Sequence, residues 1–289
     1  TMAFGANLAM RAGSSSCGFC PGHFEYFANS DSHINECYFY HTFNLPGHGL
    51  VKGEWDLRNR LNDYLGNVNF SGKRVLECGT ASGFCCFNME KMGADVIAQD
   101  LSEKQLWDLV PYYDVINDKV VSDWKKHINR INNGFWYSHK TFNSNAKVIY
   151  CSIYKIPEEI GMVDISTFGS ILLHLRDPFL ALQVALRLTR KTVVITDRLP
   201  RFYAIRKTAS LLVKFINRGR STIVFSPQSS KKTPVDSWWE LNPEIIANFI
   251  KDVIFHYWIV SIPIIYSAHR APCVTSIYGF YFNITWILE

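Results

Sequence analysis

The chain has 289 residues, 48% hydrophobic and 15% aromatic, with a formal charge of +5; that length supports one core with insertions rather than two equal domains. Its longest apolar stretch, Val253–Tyr266, is interrupted by His256 and Pro263, so no run reaches the roughly 20 residues of a membrane-spanning helix. The first residues lack the basic-then-apolar pattern of a secretory signal, and the small polar stretch up to Ser14-Ser15-Ser16 reads as a frayed leader.

Four regions follow in chain order. Residues 1–70 form an N-terminal extension or lid. It holds the aromatic, turn-rich stretch Tyr38-Phe39-Tyr40-His41-Thr42-Phe43-Asn44-Leu45-Pro46-Gly47-His48-Gly49. A helix is predicted from Trp55 to about Leu65, with Leu57, Leu61 and Leu65 on one face. Residues 71–198 alternate strands (Arg74–Glu77, Asp95–Asp100, Lys147–Cys151, Val163–Phe168, Thr192–Asp197) with helical stretches such as Phe179–Leu188. Such alternation predicts an α/β fold with a doubly wound parallel sheet.

Residues 199–237 break that rhythm. Phe202, Ile205, Ala209, Leu212, Val213 and Ile216 recur at helical spacing, with Arg206, Lys207, Lys214 and Arg218 elsewhere on the cylinder. Residues 187–232 hold twelve Lys or Arg against one acid, Asp197, so the rest of the chain is mildly acidic. This insert reads as a basic helical cap. Its basic face either meets solvent or attracts an anionic acceptor through Arg206 and its neighbours. Residues 238–289 return to the core with a helix starting at Pro243, a favourable first helical position, and two final strands, about 253–261 and 275–288.

Eight cysteines lie at positions 17, 20, 37, 78, 85, 86, 151 and 273. Cys78, Cys85 and Cys86 read as small buried hydrophobes. The pair Cys17-x-x-Cys20 lacks a second pair at ligand spacing, so no metal is expected. A reducing, cytoplasmic compartment fits this usage.

The chemistry concentrates in Val75-Leu76-Glu77-Cys78-Gly79-Thr80-Ala81-Ser82-Gly83-Phe84 and in Asp95-Val96-Ile97-Ala98-Gln99-Asp100. A strand, a Gly-rich turn and a helix, then a second strand ending in an acid, aim backbone N–H groups at a ligand and a carboxylate at ribose hydroxyls. A dinucleotide fingerprint requires Gly where Phe84 stands. The pattern present, E-x-G-x-A-x-G, resembles motif I of the class I S-adenosylmethionine (SAM) methyltransferases, where no pyrophosphate is cradled.

That resemblance implies a Rossmann-like sheet of seven strands, the last antiparallel, with the cap inserted after the fifth strand. It also implies SAM as cofactor. Gly79, Ala81 and Gly83 let the backbone approach SAM, with Thr80 and Leu101 beside them. Glu77 sits near the ammonium end and Asp100 on the ribose diol. Ser152 and Ile153 stand where adenine is contacted, and Phe168 and Gly169 open the stretch after the fourth strand, which runs to Leu173-His174-Leu175-Arg176-Asp177-Pro178.

Taken with Tyr40-His41-Thr42, Trp55-Asp56-Leu57-Arg58 and Trp238-Trp239, residues 38–289 resemble a subfamily related to the tRNA wobble-uridine enzyme that builds 5-oxyacetyluridine. By that likeness Trp55 and Arg58 close over SAM. Glu54 stands where the enzyme for carboxylated SAM carries a base, so ordinary SAM is expected.

His174, at the end of the fourth strand, and His41, in the aromatic segment, compete as general base. Trp238 and Trp239 are candidates for the substrate pocket wall. The function these residues imply is SAM-dependent methylation of a small molecule at an O, N, S or C nucleophile. The alternatives are a tRNA-modifying methyltransferase and a non-catalytic SAM-binding interaction subunit. Nucleic acid is not the expected partner, because no RNA-binding module accompanies the charge. The oligomeric state is open.

Overall fold

A computed structural model describes residues 33–111, 116–199, 223–225, 236–251, 258–261, 264–270 and 279–288. A short hairpin, β1 (Phe43–Leu45) and β2 (Gly49–Val51), precedes β3 (Trp55–Asp56) and the single turn α1 (Leu61–Tyr64). The central units follow: β4 (Arg74–Cys78), α2 (Phe84–Lys91), β5 (Asp95–Asp100), α3 (Asp118–Phe142), β6 (Lys147–Tyr150), β7 (Val163–Gly169), α4 (Pro178–Arg187) and β8 (Thr189–Arg198). The chain continues with β9 (Val224–Phe225), β10 (Trp239–Glu240), α5 (Pro243–Phe249), β11 (Trp258–Ser261), β12 (Ile264–Arg270) and β13 (Gly279–Leu288).

The main sheet runs β3-β12-β13-β8-β7-β4-β5-β6, with β11 also pairing β13. The strands β6, β5, β4, β7 and β8 are mutually parallel, and β13 lies antiparallel to β8. This is the α/β, Rossmann-like sheet expected from the sequence. Strand order reverses between β4 and β7, the place where an open α/β sheet forms a ligand crevice at its carboxyl edge.

The pleat divides the strand residues between two cores, because successive side chains point to opposite faces. Leu76, Ile97, Ile149, Val193 and Ile195 pack with Leu182, Leu186 and Ile246 of α4 and α5. Val75, Val96, Ala98, Val148 and Val194 pack on the other face, with Phe84 and Phe87 of α2 and Phe135 of α3. The helix starts are chemically marked. The Asp177 carboxylate accepts the Leu180 N–H ahead of Pro178, Asn117 accepts the Val120 N–H, and Asn242 caps the helix opening at Pro243.

Three expectations change. Trp55–Leu65 is not a continuous helix. Trp55 and Asp56 form an edge strand on β12, with Asp56 opposite His269, and only Leu61–Tyr64 is helical. The apolar spacing of Leu57, Leu61 and Leu65 reflects burial of all three in the α2-side core. The sheet has nine strands among the described residues rather than seven, the extra two being β3 and β12. The chain end carries three strands instead of two, β12 being the addition.

Most of the basic insert lies outside the described residues, including Phe202, Ile205, Arg206, Lys207, Ala209, Leu212, Val213, Lys214, Ile216 and Arg218, as do the leader and Cys17, Cys20 and Cys273. Cys37, Cys78, Cys85, Cys86 and Cys151 are free and buried. Among the described residues no helix is long and apolar enough to cross a membrane.

Candidate functional site

After β4 the chain turns through Gly79 (φ 76°), Ala81 (φ 49°) and Gly83 (φ 84°). All three are in the left-handed region, which L side chains avoid. The N–H groups of Gly79 and Thr80 both donate to the Gln99 carbonyl, at 2.9 and 3.1 Å. Asp100, at the end of β5, accepts from the Ala81 N–H through Oδ2 and from the Leu101 N–H through Oδ1, each at 2.7 Å. The acid therefore locks the turn from the neighbouring strand while its carboxylate stays half-buried at the crevice.

The two glycines serve different ends. A Cβ on Gly79 would lie 2.3 Å from Cδ1 of Ile171, on the crevice side. A Cβ on Gly83 would meet Phe87 at 2.4 Å and Phe135 at 2.9 Å, so that glycine lets α2 and α3 pack.

Burial sets the charges. Glu77 is 6% exposed. Desolvation pushes its carboxyl up to about 7, opposed by the Thr80 hydroxyl, which donates to Oε2 at 2.6 Å. Desolvation likewise raises Asp100 to about 6 against its two backbone donors. His41 is pushed down to about 4 by burial and stacks on Phe84 with ring centroids 5.3 Å apart. At neutral pH it is an uncharged imidazole and a weak proton acceptor.

These groups open on a cleft with about 1100 Å³ of empty space, its mouth included. From the turn and strand ends it is lined by Gly79, Ala81, Gln99, Asp100 and Gly169. Leu101, Leu106, Trp107 and Asp108 contribute from the segment after β5, and Ile128, Ile131 and Asn132 from α3. Ser152, Ile153 and Tyr154, then Ser170, Ile171, His174 and Leu175, follow β6 and β7, with Tyr40, His41 and Asp236 completing the lining.

Of the expected site residues, Gly79, Ala81, Asp100, Leu101, Ser152, Ile153, Gly169, His174 and His41 line this cleft. Glu77, Thr80, Gly83 and Phe168 are not on its surface; Phe168 is a core side chain on the α4 face. Trp55 and Arg58 do not line it either. The Arg58 guanidinium forks onto Asp56, at 2.8 and 2.7 Å, and packs beside Asn44. Trp238 and Trp239 brace the rim from behind. The Trp238 indole N–H donates to the Asp108 carbonyl at 2.6 Å, and that of Trp239 to the Leu175 carbonyl at 3.0 Å. Arg206 lies outside the described residues.

Sequence reading missed Gln99, Trp107, Asp108, Tyr154 and Asp236. Asp108 is a junction. It accepts from the Tyr154 hydroxyl and, at 2.8 Å, from the Arg176 N–H, and its carbonyl holds Trp238. Gln99 had a local signal, one residue before the strand-end acid. Asp236 had none, since it arrives from a segment 62 residues beyond His174.

A polar ligand is called for by buried atoms on this surface. Gln99 Oε1, His41 Nδ1 and Asp236 Oδ1 have no hydrogen-bond partner among the described residues. Such atoms cost about 1–3 kcal/mol each when left unsatisfied. A ligand rich in amino and hydroxyl donors, as SAM is, fits these acceptors and the half-buried Asp100.

No family model matches the chain, and no curated protein does. Solved structures do resemble it. Magnesium protoporphyrin IX methyltransferase from Synechocystis PCC 6803, with bound S-adenosylhomocysteine, superposes at a TM-score of 0.47 with 10% identity over 81% of this chain and 82% of that one. The N-terminal domain of EvdMO1, in the presence of S-adenosylhomocysteine and D-fucose, gives 0.47 and 11% over 86% and 90%. The small RNA methyltransferase HEN1 gives 0.49 and 14% over 80% of this chain and 25% of that one.

Proposed function

We propose that the chain is a SAM-dependent methyltransferase acting on a small molecule. One observation carries this reading: the E-x-G-x-A-x-G turn and the Asp100 carboxylate meet at the reversal point of a Rossmann-like sheet and face one cleft. Gly79, Ala81, Asp100 and Leu101 would hold the amino-acid and ribose parts, Ser152 and Ile153 the adenine, and Glu77 would sit beneath the ammonium. When bound, SAM supplies a methyl group on a cationic sulfur, an electrophile that needs only an aligned nucleophile. This chain's residues then orient the acceptor, exclude water and accept a proton where one must leave.

A small acceptor is favoured over RNA because the cleft is partly enclosed and walled by Leu106, Trp107, Ile128, Ile131 and Ile171. Ordinary SAM is favoured over its carboxylated form. Glu54 is engaged by the Tyr38 hydroxyl, Arg58 is spent on Asp56, and no Lys or Arg is among the described lining residues. The wobble-uridine likeness is thus proposed at the level of descent and not of cofactor.

Asp100→Ala should weaken SAM binding by about 1–3 kcal/mol, the loss of a charge-assisted hydrogen bond. Isothermal calorimetry finding equal affinity in the variant would overturn the assignment of the site.

A further inference from the structure

The cleft contains one imidazole built for proton transfer. His174 closes the 3-10 turn Leu172–His174 after β7, and its Nδ1 lies 2.7 Å from the backbone carbonyl oxygen of Asp236. A carbonyl only accepts, so this contact fixes the proton on Nδ1 and leaves Nε2 as the ring's acceptor. Nothing among the described residues hydrogen-bonds Nε2.

Carboxylates flank the ring from two elements. Asp236 Oδ2 stands 3.5 Å from Nδ1. From the end of β8, Asp197, 1% exposed, accepts the Leu173 and Arg198 N–H groups and interacts electrostatically with His174. His127 of α3 interacts electrostatically with Asp236, and Arg198 with Asp197. Arg176 and Asp177 lie on His174's own loop, with the Arg176 guanidinium over the Trp238 ring, and Asp108 is engaged by Tyr154 and the Arg176 N–H.

The same surface selects the acceptor. Three carboxylates, Asp100, Asp108 and Asp236, line the cleft, and no Lys or Arg does among the described residues. An anionic acceptor would meet like charge in a half-buried site. Tyr40, Trp107 and Tyr154 offer aromatic surface to a flat molecule.

We propose, building on the methyltransferase reading, that His174 is the general base for an uncharged phenol-type hydroxyl. In this proposal Asp236 is a positioning residue that orients the ring and, with Asp197, stabilises its protonated form. A neutral amine attacks with its own lone pair and needs no base beforehand. A phenol is a far stronger acid than an alkyl alcohol, so its proton passes to an imidazole at a much lower cost. The hydroxyl proton passes to Nε2, the freed oxygen pair forms the O–CH₃ bond, and the C–S pair stays on sulfur, which loses its charge.

Nitrogen-edited NMR of histidine-labelled protein tests the dyad. The native protein should show His174 as the Nδ1–H tautomer. An Nε2–H tautomer overturns the dyad, and this readout needs no variant to fold. S-adenosylhomocysteine release is then followed with a panel of neutral phenols and their ring-carboxylated counterparts. Turnover of phenols, with Asp236→Asn lowering kcat at unchanged KM, supports the acceptor class. Turnover of the carboxylates alone, or of no phenol, overturns it. Calorimetric SAM binding, measured in parallel, separates the two claims: its failure sinks the methyltransferase reading, while SAM binding with the wrong tautomer sinks only the dyad.

Discussion

At the scale of single residues, the strand-end acids do their work at an energetic cost. Glu77 is buried and its carboxyl is raised to about 7 from an ordinary 4.5. A raised carboxyl contributes stability that is complete below pH 4.5 and is lost as pH climbs to about 7. Glu77→Gln should therefore match the native protein near pH 4.5. By pH 8 it should be more stable by on the order of 3 kcal/mol, while binding SAM less tightly. A thermal melt series that finds the same difference at both pH values would show that Glu77 folds without this penalty. Gly83→Ala makes the opposite case. Its left-handed φ and the approach of Phe87 and Phe135 predict a loss of about 1–3 kcal/mol in chemical denaturation. A neutral effect would mean that α2 and α3 shift freely. These residues were legible because their signal is local: glycine spacing and a strand-end acid are read within a few positions. Asp236 and Tyr154 were not, because only tertiary contact brings them to the cleft. Phe168, Trp238 and Trp239 were read as site residues by adjacency, yet the pleat or the rim turns them away.

At the scale of elements, Asp108 joins three segments that the sequence keeps apart. It ties the stretch after β5 to Tyr154 after β6 and to the Arg176 loop after β7, and through its carbonyl to Trp238. Asp108→Ala should loosen this wall without unfolding the sheet. Amide hydrogen exchange should rise at residues 174–177 and 238–239 and stay unchanged in β4 and β5. Uniform protection would mean that packing alone holds the wall. The error at Trp55–Leu65 belongs to this scale too. Leucines spaced by four suggested a helix, but Trp55 and Asp56 complete the β12 edge, and backbone pairing with a distant strand leaves no trace in a short periodic pattern. By contrast, the starts of α4 and α5 were legible, since Pro at the first helical position after a capping Asp or Asn acts within one turn.

At the scale of the molecule, the alternation of strands and helices from 71 to 198 made the parallel half of the sheet legible, because the crossovers through α2, α3 and α4 each return the next strand parallel to the last. The order of the closing strands was less legible: β12 and β13 pair antiparallel across a span whose turn chemistry the pattern does not specify. The reversal between β4 and β7 puts the Gly79 turn, Asp100, Gly169 and His174 around one cleft, and the central claim is that this cleft holds SAM. The most direct measurement is a calorimetric competition on the native protein, titrating SAM alone and then in the presence of NAD. The account predicts one SAM site that NAD does not displace and in which carboxylated SAM gains no advantage. Tight NAD binding that excludes SAM, or no SAM binding at all, would contradict it.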